Sequence, residues 1–287
     1  MKYRVQSAME YLMTYGWAIL AIAIVMVLLY SIGIFNLVNL QPTATPGSCQ
    51  VIRTLAGTSL AGQCNNLIPK YVAKFGSDNG LLLVSSSVIL TRNRTMLLWA
   101  YISGTYSPSG NPLIGPTIGV CNNGYLFKVQ SNSPYQMLLD DCGAGGVWPQ
   151  SSASVSSNKW NQIGYTYNGI DVVFYVNGKQ VGIVAQNALP NLDLNGLAIG
   201  SESGFCCTYN YFNGSMSNIQ MYNISIDNNT IKALYQEGIA GVPIDLQHLV
   251  AWWPLNGDAN DYSGNNNQGI PTNVIWNANW QYGYIAS

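Results

Sequence analysis

The sequence predicts a mainly β protein that begins with one apolar helix. Residues 17–35 carry no charge, and after residue 70 short alternating apolar runs are separated by Asn, Gly and Ser turns, as in all-β extracellular domains. Beyond the helix, the 287-residue chain can form one large β domain or two small ones. With 8% charged residues and a net charge of −1, the composition argues against nucleic acid and against a basic, lipid-binding surface.

Residues 17–35 have the length of a transmembrane helix, since a hydrocarbon core about 30 Å thick needs roughly 20 apolar residues. Lys2 and Arg4 precede this stretch, and no charged residue follows it before Arg53. The positive-inside bias therefore places the N-terminus in the cytoplasm and the long C-terminal part outside. Glu10 lies at the edge of the stretch, where a carboxylate costs about 2.5 kcal/mol or more unless it finds a partner.

A short basic leader is followed by the run Gln6-Ser7-Ala8-Met9-Glu10-Tyr11-Leu12 and then by the long apolar helix. This pattern resembles the class III signal peptide of archaeal type IV pilin-like proteins, although Val5 replaces their usual small residue. The resemblance implies that a prepilin peptidase cleaves between Val5 and Gln6. It also implies that Glu10 meets the freed ammonium group of Gln6 on a neighbouring subunit, so that a homopolymer forms through the N-terminal helices with the pilus assembly machinery as a further partner. Pairing two costly buried charges would fix the axial register of the helices.

Two other interpretations of the N-terminus remain. An uncleaved single-pass anchor needs only the apolar length and the flanking charges, but it leaves Glu10 unexplained. An ordinary secretory signal peptide has a shorter apolar core, roughly 7–15 residues, and a small-residue cleavage site that is not clear here.

Six cysteines on the outer side of a membrane predict disulfides rather than a zinc site. Among the fifteen possible connectivities, we rank first Cys49 with Cys64, Cys121 with Cys142, and the vicinal pair Cys206 with Cys207. The vicinal bond would be strained, because consecutive Cα atoms lie about 3.8 Å apart. Cys49 and Cys64 would close a loop next to a Pro-containing linker.

Short strands are predicted from residue 71 onward, at residues 71–75, 81–84, 96–102, 116–120, 125–129, 197–200 and 212–222. Residues 162–167, 171–176 and 179–184 predict consecutive hairpins, because Asn168-Gly169 and Asn177-Gly178 suit type I′ turns. Alternation of Ile163, Tyr165 and Tyr167 with polar residues predicts one buried and one wet face. Residues 227–237 predict a helix that Asp227 or Asn228 caps and that Gly238 ends.

The runs at residues 160–169 (WNQIGYTYNG), 174–179 (FYVNGK), 197–201 (LAIGS) and 212–222 (FNGSMSNIQMY) are similar to those of laminin G-like domains. Residues 73–76 (AKFG) and 96–102 (MLLWAYI) fit the earlier strands of such domains. The resemblance implies a concanavalin A-like jelly-roll β-sandwich of two antiparallel sheets.

The C-terminal run at residues 249–257 (LVAWWPLNG) looks like the beginning of the same kind of domain. It is either a truncated repeat or a displaced strand that returns to complete the sandwich. We favour the second interpretation, because residues 250–255 left unpaired would be an aggregation-prone edge. The expected organisation is a leader (1–5), a pilin-like helix (6–38), a linker with a disulfide loop (39–70), the laminin G-like sandwich (71–240) and a C-terminal segment that completes it (241–287).

Residues for catalysis are few, and we do not predict an enzyme. The ectodomain has only Glu202 and Glu237 as glutamates, and His248 is the one histidine, with no nucleophile motif near it. Asp140-Asp141 is interpreted as a solvated turn.

Asp258, Asn260 and Asp261 crowd a Gly-containing loop, and such oxygen ligands can bind calcium, which the resemblance to laminin G-like domains also implies. Calcium is the one cofactor considered. The alternative, which we favour, is that these residues only form local turn hydrogen bonds.

Glycosylation sequons occur at Asn93, Asn213, Asn223 and Asn228, as suits an exported surface protein. Aromatic side chains could stack on sugar rings, although most are expected in the core, among them Trp99, Trp148, Trp252 and Trp253.

The sequence therefore favours a structural subunit of an archaeal type IV pilus-like surface filament, inserted in the cytoplasmic membrane before assembly, that displays a lectin-like domain for adhesion to glycans. The alternative is a single-pass membrane-anchored carbohydrate-binding protein that does not polymerise. A surface hydrolase on a lectin scaffold would need paired carboxylates, which the sequence lacks.

Overall fold

The computed structural model describes residues 8–31, 50–54, 57–61, 68–76, 79–86, 89–90, 92–104, 110–116, 125–130, 135–141, 149–186, 189, 191–194, 196–202 and 210–284. The chain divides into two units, residues 1–43 and residues 44–287.

The first unit contains helix α1 (Ala8–Ser31), whose side chains are described for residues 15–27. These side chains are exposed, and the apolar ones include Trp17 at 72%, Ile19 at 67% and Val27 at 66%. In the part of the chain that the structure describes, no helix reaches the length and apolarity that a membrane crossing requires. The predicted span at residues 17–35 extends beyond the described part of this helix.

The second unit is built from short strands and one helix, α2 (Asn228–Gln236). The strands are β1 (Gln50–Thr54), β2 (Gly57–Ala61), β3 (Val72–Phe75), β4 (Leu81–Val84), β5 (Ile89–Leu90), β6 (Asn93–Ile102), β7 (Asn111–Pro116), β8 (Tyr125–Val129), β9 (Gln136–Asp141), β10 (Gln150–Ser154), β11 (Trp160–Asn168), β12 (Asp171–Val176), β13 (Lys179–Ala185), β14 (Leu192–Asp193), β15 (Leu197–Ile199), β16 (Gly214–Tyr222), β17 (Leu249–Trp253), β18 (Gly269–Thr272) and β19 (Ile275–Asn277).

Most described strands belong to two antiparallel sheets. Sheet A has the strand order β10-β9-β8-β7-β15-β4-β18, and sheet B has the order β13-β12-β11-β6-β16-β3-β19, with β17 also paired to β16. The pairs β1-β2 and β14-β5 lie outside these sheets. The predicted jelly-roll sandwich is confirmed.

The main core lies between the two sheets. Sheet A contributes Phe127, Met137 and Ile199 to it, and sheet B contributes Tyr165 and Phe174, all of them buried. At one side the sheets are joined, since the Ser152 hydroxyl of β10 donates a hydrogen bond to the Val181 carbonyl of β13.

One face of β11 was expected to be wet, and this prediction is wrong. Every residue of β11 except Asn168 is buried. Ile163, Tyr165 and Tyr167 face the main core, as expected, but Thr166 on the opposite face is only 2% exposed. The alternation of apolar and polar residues in β11 indicated the core face correctly. It could not show that a further layer covers the opposite face of the strand.

That further layer consists of α2 and the C-terminal segment. Ile231 and Leu234 of α2 pack in a second cluster with sheet B side chains that alternate with those of the main core, including Leu97, Tyr175 and Trp252. The α2 helix begins as predicted, because the Asp227 carboxylate accepts hydrogen bonds from the backbone N–H groups of Asn229 and Thr230. The hydrogen bonds from Thr230 hold the pKa of Asp227 below its usual value.

A row of aromatic rings attaches the end of the chain to the same face of sheet B. Successive ring centroids are 5.5–6.0 Å apart, in the order Tyr235, Trp99, Tyr284, Trp280, Trp160 and Tyr101. The indole N–H of Trp280 donates to the Pro69 carbonyl, and that of Trp160 donates to the Trp280 carbonyl.

The two predicted type I′ turns differ. Asn177 and Gly178 both have positive φ, 50° and 71°, so the turn between β12 and β13 is confirmed. Between β11 and β12, Gly169 has a φ of 91° while the Asn168 side chain accepts hydrogen bonds from Ile170 N–H and Asp171 N–H. Asn168 therefore ends the strand as a side-chain cap, and the turn is shifted by one residue.

Strands β4 and β8 begin and end at the predicted residues, whereas the strand predicted at 116–120 lies, apart from Pro116, outside the described residues. Strand β7, at Asn111–Pro116, was not predicted. Its sequence, Asn-Pro-Leu-Ile-Gly-Pro, contains two prolines and a glycine, which usually interrupt strands. Asp140 and Asp141, expected in a turn, end β9.

The C-terminal segment supplies strands to both sheets. β17 pairs with β16 in sheet B, β18 with β4 in sheet A, and β19 with β3 in sheet B. Trp253 is fully buried in the main core, and its indole N–H donates to the Asn267 carbonyl at 2.8 Å. The segment thus has the arrangement of a returning strand rather than of a truncated repeat.

Candidate functional site

Long polar side chains lie on the outer face of sheet A. In β8, Phe127 and Val129 face the core, so Lys128, and Gln130 just after the strand, belong to the opposite face. Leu138 of β9 is the cross-strand neighbour of both Lys128 and Gln150. The register therefore brings Lys128 and Gln150 to one row across three strands.

Three glutamine side chains from this face form one hydrogen-bonded group, which we call the glutamine triad (Gln130, Gln136 and Gln150). The Gln150 amide NH₂ donates to the carbonyl oxygen of Gln130 at 3.1 Å and also to that of Gln136. The backbone N–H of Gln130 also donates to the backbone carbonyl of Gln136 at 2.8 Å, which aligns β8 with β9. All three side chains are half-buried.

The triad leaves defined groups for a ligand. An amide has one carbonyl acceptor and two N–H donors, and the triad uses both N–H donors of Gln150. Among the hydrogen bonds of the described residues, the Gln150 carbonyl and the NH₂ groups of Gln130 and Gln136 have no partner. This set offers one carbonyl acceptor and two NH₂ groups, which suits a molecule with neighbouring hydroxyl groups that both donate and accept.

A buried ion pair belongs to the same face. The Lys128 ammonium lies 4.0 Å from Glu202 Oε2, with the two side chains 14% and 3% exposed. The other oxygen of Glu202 accepts a hydrogen bond from the Asn210 amide. Glu202 follows β15, a strand of sheet A, whereas Glu237 is the C-cap of α2 on sheet B, so the two glutamates of the second unit belong to different sheets.

The model of the laminin G-like family described as the concanavalin A-like lectin/glucanases superfamily matches residues 75–232, more than half of the chain. The chain belongs to this superfamily. Among curated proteins, none matches the sequence.

Two solved structures of the lectin-like fold are similar to this chain. A protein from Bacteroides ovatus, provisionally described as carbohydrate-binding, has a TM-score of 0.57 and 18% identity, covering 81% of this chain and 70% of its own. A heptameric SAP-like pentraxin from Limulus polyphemus has a TM-score of 0.52 and 11% identity, covering 72% of this chain and 94% of its own. At these identities the similarity concerns the fold.

In this lectin-like domain, the loop proposed for calcium is held by internal hydrogen bonds. The buried Asp261 carboxylate accepts from the backbone N–H groups of Trp252, Ser263 and Asn267 and from the Ser263 hydroxyl, at 2.8–2.9 Å. Both of its oxygens therefore face donor hydrogens, which repel a cation. Calcium binding at Asp258, Asn260 and Asp261 stays a prediction, and this donor set does not fit it.

Asp258 also has local partners. It accepts hydrogen bonds from the Asn260 N–H at 3.1 Å and from the Tyr262 hydroxyl at 2.9 Å. Burial, followed by the hydrogen bond to Asp258, raises the pKa of Tyr262 to about 12, so the phenol keeps its proton at neutral pH. In the described residues, no group of three or more His, Cys, Asp or Glu side chains could hold a metal ion.

The four sequons differ in surroundings. Asn93, Asn223 and Asn228 are exposed and Asn213 is half-buried. The Asn228 amide is engaged, since its carbonyl accepts from the Tyr175 hydroxyl and its NH₂ donates to Gln180. Glycosylation at these positions stays a prediction.

Several predicted residues lie outside the described part of the chain: Val5, Gln6, Trp148 and the cysteines at 49, 64, 121, 142, 206 and 207. Glu10 lies within α1, but its side chain is among those not described. The other three tryptophans singled out from the sequence are buried, at 2% exposure for Trp99 and Trp252 and 0% for Trp253. They are core residues rather than exposed sugar platforms.

The sequence analysis missed the glutamine triad. Each glutamine lies in or directly after a short strand, at a position that the sequence pattern does not single out. Their proximity depends on the register of three strands joined by long loops, which the sequence pattern does not specify.

Replacing Asp261 by asparagine is expected to lower the free energy of unfolding by about 1–3 kcal/mol, because the amide NH₂ would face buried N–H donors. Urea denaturation measures this, with Asp258→Asn as the matched control in the same loop and a smaller expected loss. Millimolar calcium should leave the wild-type melting temperature unchanged. A rise of several degrees on adding calcium, reversed by a chelator, would contradict the hydrogen-bonded loop.

Proposed function

We propose that this protein is a carbohydrate-binding subunit of a cell-surface filament. In this proposal the lectin-like domain binds glycans through the outer face of sheet A, and the N-terminal helix inserts in the membrane and then assembles with other copies. The observation that carries the binding role is the glutamine triad, whose remaining amide groups match adjacent sugar hydroxyls.

The form of the triad supports glycan recognition. The internal hydrogen bonds of Gln150 hold three otherwise flexible side chains in one arrangement, so less side-chain entropy is lost when a ligand binds. Three strands of one sheet supply the groups, which gives a more rigid site than a loop would. The family membership adds support, since the superfamily is described as lectins and glucanases.

The surroundings of α1 support the assembly role. Its described side chains from residue 15 to 27 are exposed on all sides of the helix, including Trp17, Ile22 and Val27. A helix that is apolar all round requires a lipid or protein environment, and both are provided by a membrane followed by a helical bundle. The run from Gln6 to Leu12 supplies the resemblance to pilin-like proteins.

Gln150→Ala should weaken binding to the best glycan on an array by about tenfold, since it removes a carbonyl acceptor and releases Gln130 and Gln136. Surface plasmon resonance against that glycan measures the effect. Gln281→Ala is the matched control, because Gln281 is exposed in the C-terminal turn. If Gln150→Ala binds as tightly as the control variant, the triad is not the binding site.

Mass spectrometry of the protein from its native membrane should find a mature N-terminus at Gln6, and sheared surface filaments should contain the chain. Glu10→Gln should insert normally but form fewer filaments, because the carboxylate that pairs with the Gln6 ammonium is lost. Glu237→Gln removes a carboxylate from the lectin-like domain and serves as the control. A chain that keeps Met1 and is absent from filaments would favour the non-polymerising anchor instead.

A further inference from the structure

Sheet A contains few basic residues. The sequence has one basic residue between Arg94 and Lys159, namely Lys128, and none between Lys179 and Lys232. These stretches supply five of the sheet A strands, and β4 and β18 contain no basic residue either. Lys128 is therefore the one cation that the described strands of sheet A contain.

The single cation is already balanced. Glu202 is buried, and its carboxylate lies 4.0 Å from the Lys128 ammonium. Lys128 is two residues from Gln130 on the same face, so an approaching ligand at the triad meets the pair rather than an isolated positive charge. The other charged residues of the described sheet A strands are Asp140 and Asp141 of β9, which carry the opposite sign.

We propose that the glutamine triad selects neutral glycans and rejects acidic ones. This inference rests on the proposed carbohydrate role and adds its substrate class. A sugar carboxylate that enters a half-buried site loses more hydration than the neutral amide donors of the triad return, because no net positive charge accompanies these donors. A neutral sugar loses only hydroxyl hydrogen bonds to water, which the amide groups of the triad replace.

In this proposal, the ion pair Lys128–Glu202 determines the preference for neutral glycans. Glu202 neutralises Lys128 and thereby prevents it from attracting a carboxylate in the way that an isolated ammonium would. Replacing Glu202 by glutamine keeps the size of the side chain and a carbonyl oxygen that can accept from Asn210. The substitution removes the negative charge that lies 4.0 Å from the Lys128 ammonium, so the net charge of the pair becomes positive.

The test uses an array of neutral glucose, galactose and mannose oligosaccharides beside the same oligosaccharides with the terminal CH₂OH oxidised to a carboxylate. The wild-type protein should bind the best neutral member at least about tenfold more tightly than its carboxylated counterpart. Its binding should change little between low and moderate salt, since no net charge attraction contributes.

Glu202→Gln should bind the carboxylated member about tenfold more tightly than the wild type does, so that the preference for the neutral member falls by the same factor. This gain in affinity should decrease with added salt. The double variant Glu202→Gln, Lys128→Gln should bind the carboxylated member as weakly as the wild type does. Glu237→Gln is the matched control, because it makes the same chemical change at the end of α2. Circular dichroism verifies that the variants are folded. The comparison of neutral and carboxylated oligosaccharides with the wild-type protein does not depend on any variant.

Equal or tighter binding of the carboxylated member by the wild type would overturn the neutral preference while leaving the carbohydrate role intact. Discrimination that Glu202→Gln leaves unchanged would overturn the part assigned to the ion pair. Binding to neither set would refute the carbohydrate role, and the neutral preference with it.

Discussion

The return of the chain end to both sheets is the constraint on which the domain depends. β17 and β19 pair within sheet B and β18 pairs within sheet A, so the last strands connect the two layers. Trp253 is fully buried in the main core and hydrogen-bonded through its indole N–H, and loss of such a side chain typically costs about 3–5 kcal/mol. The laminin G-like stretch at residues 75–232 is therefore not the whole folding unit.

This closure also decides which surface is available for binding. The α2 helix and the aromatic row from Tyr235 to Tyr101 cover one face of sheet B, and the main core covers the other. Sheet A has its second face outside the main core, and there Lys128 and the glutamine triad lie beside the buried side chains of Leu126 and Leu138. The domain thus uses one sheet for attachment of its outer layer and the other for the glutamine triad and the pair Lys128–Glu202.

Sequence patterns predicted the parts of this fold that depend on neighbouring residues. Asn177-Gly178 specified a turn through its own backbone preference, and Asp227 specified the start of α2. The covered face of β11 and strand β7 could not be predicted in this way, because the first depends on segments more than 60 residues away and the second contains residues that usually break strands. The triad was missed for a related reason, since only the register of β8, β9 and β10 brings its members together.

The central claim is that a neutral glycan binds at the glutamine triad. The most direct measurement is NMR titration of the isotope-labelled protein with the best neutral oligosaccharide, following the side-chain amide resonances. The largest shifts should occur at Gln130, Gln136 and Gln150, with little change at Gln281. Shifts concentrated instead on Asn260 and its neighbours, with the triad unaffected, would contradict the account.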